Sequence, residues 1–88
     1  MMSKPTNIKF SKSKRKDKKY HVEFKLNGDD YALDFGGLGY EQYKDSTPLK
    51  LYSELDHGDK ERRRRYYLRH GFTNNPLSAK YWSSKYLW

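Results

Sequence analysis

The chain has 88 residues, enough for one small domain with a narrow stability margin, and half of its 34% apolar content is aromatic. It has no cysteine, which excludes disulfides and thiolate zinc sites, and no apolar run nears the roughly 20 residues that span a bilayer. The net charge of +8 divides into +7 over residues 1–19, −5 over 20–57 and +6 over 58–88, a pattern that points to polyanionic partners and to a middle segment able to neutralise one basic surface.

No apolar leader and no Asn-X-Ser/Thr acceptor occurs, so the sequence reads as intracellular and not secreted. Residues 1–19 form a basic segment with a candidate edge strand, in which Ile8 and Phe10 alternate with Asn7, Lys9 and Ser11. Lys12 to Lys19 follow as a loop of nearly one sign. Two readings stand equally: a solvated connection that discourages edge pairing, or a loop that contacts phosphates.

Residues 20–88 read as one α+β domain, a small antiparallel sheet of two or three strands packed against two or three short helices. Tyr20, Val22, Phe24 and Leu26 alternate with His21, Glu23 and Lys25, and Asn27-Gly28 then marks a two-residue type I′ turn. That turn sets Leu26 opposite Asp29, Phe24 opposite Tyr31, Val22 opposite Leu33 and Tyr20 opposite Phe35. The other face then matches Lys25 with Asp30 and His21 with Asp34. Gly36, Gly37 and Gly39 read as a sharp exit from the sheet. A phosphate cradle would need a strand–loop–helix setting that is absent here.

Glu41 to Asp45, with Tyr40 and Tyr43, suggests a helical turn. Thr47-Pro48 reads as a helix start, with Leu49, Leu51, Tyr52 and Leu55 on a partial face. A charged helix spans about Lys60 to His70, capped by Asp59 and stopped by Gly71, with His70 serving its C-terminus. Asn75-Pro76 reads as the start of a final helix from Leu77 to Trp88, with Leu77, Tyr81, Ser84 and Trp88 on one side.

The charged helix carries five arginines. At 100° per residue, Arg62, Arg65, Tyr66 and Arg69 share a face suited to phosphates and base stacking, while Tyr67 and Leu68 mark a packing side. The bland account is pairing of these arginines with the acids of residues 20–57, which explains one or two of them, Arg69 among these. The candidate nucleic-acid-binding residues are therefore Lys12, Lys14, Arg15, Lys16, Lys18, Lys19, Arg62, Arg63, Arg65, Tyr66 and Arg69. Tyr81, Trp82 and Trp88 are candidates for docking a protein partner. His57 and His70 lack the spacing of a metal or nuclease centre, so the sequence predicts no catalytic residue, no cofactor and no metal.

Phe35-Gly36, Gly39-Tyr40, Tyr43 with Asp45, Tyr66-x-x-Arg69-His70 and the closing Leu87-Trp88 together resemble a family of small uncharacterised proteins encoded by nucleocytoplasmic large DNA viruses. The resemblance covers about residues 20–88, and Tyr66-x-x-Arg69-His70 at its distance from Phe35-Gly36 is its most specific part. It implies a viral protein of the infected cell, packaged in the virion, and no reaction. Family members have a shorter segment at Thr47–Leu55 and continue beyond Leu-Trp, and the latter departure leaves open whether the chain is truncated after Trp88. The sequence thus predicts a non-catalytic virion protein that binds nucleic acid, DNA ahead of RNA, or an acidic protein. The alternative is a minor capsid or cement protein, docking on capsid proteins through its aromatic last helix. No membrane association is expected, and the oligomeric state stays open.

Overall fold

The computed structural model describes residues 4–88. It contains strands β1 (Thr6–Lys12), β2 (Lys18–Leu26) and β3 (Asp29–Gly37), a 3-10 turn at Ser53–Leu55, and helices α1 (Lys60–His70) and α2 (Ala79–Tyr86). The strands form one antiparallel sheet in the order β1-β2-β3. The protein is an α+β fold, as the succession of strands and then helices predicts.

The β2–β3 hairpin has the register read from its turn, with Leu26 opposite Asp29, Phe24 opposite Tyr31 and Tyr20 opposite Phe35. Asn27 and Gly28 both have positive φ, 53° and 84°, as a type I′ turn requires. Alternation buries Tyr20, Val22, Phe24 and Leu26 on one face, where Phe35, Trp82 and Leu87 complete the core. β1 is the expected edge strand. Its Phe10 ring reaches into the core, with centroids 4.8 Å from Tyr86 and 6.1 Å from Trp82.

Two expected helices change. No α-helix follows Thr47-Pro48; only the 3-10 turn at Ser53–Leu55 forms, and Glu41–Asp45 is not helical. The chain from Gln42 to Asp56 is tied instead by a buried polar network, which outweighs a weak local propensity. The last helix begins at Ala79 with Ser78 as its cap, the Ser78 hydroxyl accepting the N–H of Lys80 at 3.2 Å. Asn75 closes a preceding turn by accepting the N–H of Leu77 at 3.0 Å. The inward side of α2 is Trp82 and Tyr86, stacked at 5.8 Å, whereas Leu77 is exposed.

The network has Asp45 at its centre. One carboxylate oxygen accepts from the Thr47 hydroxyl at 2.6 Å and the Thr47 N–H at 3.0 Å. The other accepts from the Tyr20 hydroxyl and from the N–H of Tyr52 at 3.2 Å. Gln42 donates to Asp56 at 2.6 Å and to the Tyr52 carbonyl at 2.8 Å, and its oxygen accepts from the Lys19 ammonium. Burial alone would raise the Asp45 carboxyl, but the donors converging on it hold it below its ordinary 3.8. Nothing in the periodicity of residues 40–58 announces this network.

Candidate nucleic-acid interface

α1 is capped as its sequence indicates. Asp59 accepts the N–H groups of Glu61 and Arg62 at 2.9 and 3.3 Å. At the far end Gly71, with φ 70°, donates its N–H to Tyr67 at 2.8 Å. The expected C-terminal role of His70 passes to Lys80, whose ammonium donates to the His70 carbonyl at 2.8 Å. The His70 ring leans on Tyr66 at 4.6 Å.

No residue of α1 is buried. The helix is held to the body by a few side chains. Tyr66 stacks on Trp88, and the Tyr66 and Tyr67 hydroxyls meet Ser84 at its Oγ (3.2 Å) and its carbonyl (2.9 Å). Arg63 donates to the Trp88 carbonyl at 2.6 Å and lies over the ring of Tyr43, 5.0 Å from its centroid. Arg63 is thus engaged in docking the helix, a correction to its place among the phosphate contacts. Leu68 does not pack as expected: it is 72% exposed beside the Tyr67–Phe72 stack.

Arg62, Arg65, Tyr66 and Arg69, the face read from the helical period, line one side of an open cleft of about 610 Å³. Gly36, Gly37, Tyr40 and Glu41 line the other side, and Lys19, Leu87 and Trp88 also contribute. Arg62 pairs with Glu41 at 2.9 Å, so one ion pair spans the cleft. The middle acidic segment therefore neutralises Arg62 and not Arg69. Arg69 makes no hydrogen bond or ion pair with any described residue, and Arg65 approaches Glu61 only at 3.7 Å, a carboxylate already held by Arg64 at 2.6 Å.

Two members of the predicted set are spent inside the fold. Lys19 is 1% exposed, and its ammonium donates to the Tyr40 carbonyl at 2.6 Å and to Gln42, so it is not a phosphate contact. Alternation fails there because Gly36, opposite, has φ 81° and admits the Lys19 side chain beside Leu87. Burial lowers the Lys19 ammonium from 10.5 despite the nearby charges of Asp45, Asp56 and Glu54. Tyr66 is half-buried, and its ring face is taken by Trp88, which removes it as a free stacking platform.

Lys12, Lys14, Arg15 and Lys16 are exposed, and Lys18 is half-buried as the first residue of β2. Asp17 partly offsets this turn, lying 3.5 Å from Arg15. The Asp17 carbonyl accepts the N–H of Leu38 at 3.0 Å, so the lysine-rich turn borders the Tyr40 side of the cleft.

Of the docking candidates, Trp82 is 0% exposed and donates its indole N–H to the Pro76 carbonyl at 2.8 Å. It is a core residue and cannot meet a partner. Tyr81 and Trp88 are half-buried.

His57 accepts the N–H of Asp59 at its Nδ1, 2.9 Å away, which leaves the proton of the neutral ring on Nε2. That Nε2 is buried without a partner among the described residues. Among the described residues no three His, Asp or Glu side chains gather as a metal site, and no helix is long and apolar enough to cross a membrane. No family model matches the chain, and no curated protein or solved structure matches it.

Residues that periodicity did not flag complete the cleft. Tyr40 is 74% exposed, and Glu41 receives Arg62. Both lie in an irregular segment, where no repeat distinguishes a wall residue from a loop residue.

Proposed function

We propose that this is a non-catalytic basic protein of viral origin, associated with the virion, that binds nucleic acid or another polyanion through phosphates without reading sequence. The observation that carries the reading is the cleft side made by Arg62, Arg65 and Arg69, of which Arg69 has no acidic partner among the described residues. An exposed guanidinium without a carboxylate is a ready phosphate contact. Lys12, Lys14, Arg15 and Lys16 extend the positive surface beside it. The viral setting comes from the sequence resemblance alone.

Fluorescence anisotropy against labelled DNA over a salt series tests the reading. Engagement of about four phosphates predicts that affinity falls on the order of 100-fold when salt is raised fourfold. Absence of binding at low salt, or binding indifferent to salt, overturns it.

A second reading, docking on a capsid protein, is favoured by a different surface from α2. Phe72 is 83% exposed and stacked on Tyr67 at 4.6 Å, with Leu68 beside them. Capsid proteins retained by the wild type but not by Leu68→Ala with Phe72→Ala would favour it, and equal retention would remove it.

A further inference from the structure

The three arginines belong to one concave site of the fold. They face a concavity whose other side is Gly36, Gly37, Tyr40 and Glu41. At about 610 Å³ it falls within the roughly 300–1,000 Å³ of clefts that take small ligands. On the Leu68 side of α1, Arg63 is engaged by the Trp88 carbonyl and Arg64 by Glu61, with Lys60, Leu68 and Phe72 exposed beside them.

Tyr40 adds a feature that phosphate binding alone does not call for. Its ring is 74% exposed. It is seated against Gly37, where a Cβ would lie 2.8 Å from the Tyr40 Cδ2, so the missing side chain lets the ring rest on backbone. Its carbonyl is fixed from below by the buried Lys19 ammonium at 2.6 Å. The next residue, Glu41, is clamped to α1 by Arg62 at 2.9 Å. An exposed aromatic ring held in the same cleft as the unpaired Arg69 guanidinium and the loosely paired Arg65 offers a π-face and phosphate contacts together.

We infer that the cleft binds a single strand of nucleic acid in preference to a duplex, with an unpaired base on the Tyr40 ring and neighbouring phosphates on Arg65 and Arg69. This rests on the polyanion-binding reading and sharpens its ligand. Tyr40 takes the stacking role for which Tyr66 is unavailable. The lysine-rich turn, joined to Leu38 through Asp17, continues the phosphate track at one end. DNA and RNA single strands present the same base and phosphate chemistry to such a cleft.

Fluorescence anisotropy on the full chain tests the inference with labelled oligothymidylate and oligouridylate of about a dozen nucleotides. A mixed-sequence DNA duplex and inorganic polyphosphate, which has no bases, serve as comparators. One or both single strands are expected to bind about tenfold or more tightly than duplex or polyphosphate. Tyr40→Ala should bring the single strand down to the polyphosphate level, and Tyr40→Phe should leave it unchanged. Tyr40→Leu, which keeps apolar packing on Gly37 without a π-face, should match Tyr40→Ala and covers the case in which the alanine variant folds poorly. Arg69→Gln should lower single-strand affinity and reduce the salt slope by about one. Duplex or polyphosphate bound as tightly as single strands, or Tyr40→Leu binding like the wild type, overturns the single-strand inference while leaving salt-dependent polyanion binding intact. Failure of every probe to bind at low salt overturns both.

Discussion

Tyr66 lies flat on Trp88, with ring centroids 4.5 Å apart and planes 4° from parallel. His57 touches the same indole at 5.2 Å, and Arg63 donates to the Trp88 carbonyl. A helix with no buried residue of its own is thereby fastened through Trp88, together with the contacts of Tyr66 and Tyr67 on Ser84.

Trp88→Ala should therefore release α1 before it unfolds the sheet. Loss of a half-buried indole and its stack predicts destabilisation of about 2 kcal/mol. Hydrogen exchange should show protection falling first across Lys60–His70, with β2 and β3 retained. Uniform loss of protection would mean that Trp88 supports the whole core.

Asp45→Asn should be much more disruptive than its near-identical shape suggests. The carboxylate accepts from Thr47, Tyr20 and Tyr52, and an amide would set its own N–H groups against some of those donors. Lost charge-assisted bonds predict a cost of about 3 kcal/mol, measured by urea denaturation near neutral pH. Because the folded carboxyl titrates below 3.8, its contribution is present above that pH and is lost as pH falls through the folded value. Asp45→Asn should lack this part of the acid transition.

The alkaline limb should report Tyr20. Burial, with the adjacent Asp45, raises its hydroxyl from 10.0 to about 12. The folded state keeps a proton that the unfolded chain loses, so this stability is complete below pH 10.0 and declines as pH rises towards about 12. The full decline is on the order of 2–3 kcal/mol, at about 1.4 kcal/mol per pKa unit. Lys19, lowered from 10.5 by burial, acts in the opposite sense below that pH, so the decline is best read above 10.5. Tyr20→Phe, less stable at neutral pH, should show a shallower fall in that interval.

Gly36→Ala and Gly28→Ala separate backbone strain from crowding. Both glycines have positive φ, 81° and 84°. A Cβ at Gly28 meets nothing within 4 Å, so only the left-handed conformation is penalised, by about 1 kcal/mol. At Gly36 it would lie 2.8 Å from the buried Leu87 Cδ1 and 3.3 Å from Lys19 Cβ, raising the cost to about 3 kcal/mol. Equal denaturation midpoints for the two variants would show that Leu87 and Lys19 yield freely.

The arginine face was partly legible. The helical period brings Arg62, Arg65 and Arg69 to one side, and all three line the cleft. The period cannot say which charges meet acids: Arg62 finds Glu41, 21 residues away, and Arg69 finds no acid among the described residues. Nor can it foresee that Lys19, in a run of solvated lysines, turns under the Tyr40 carbonyl.

The sequence by itself determined the hairpin register, the caps of α1 and the separation of charge along the chain. Each of these depends on residues within one turn, one strand pair or one block. Only the tertiary structure decided that Trp82 belongs to the core, that residues 42–56 are pinned by Asp45, Gln42 and Asp56 in place of a helix, and that Tyr40 shares a cleft with the arginines. Those outcomes join groups 10 to more than 30 residues apart, such as Gln42 with the Tyr52 carbonyl and Tyr20 with the N–H of Leu51. Such pairings follow from how the sheet, the loop and the helices close around one another, which no local pattern of residues encodes.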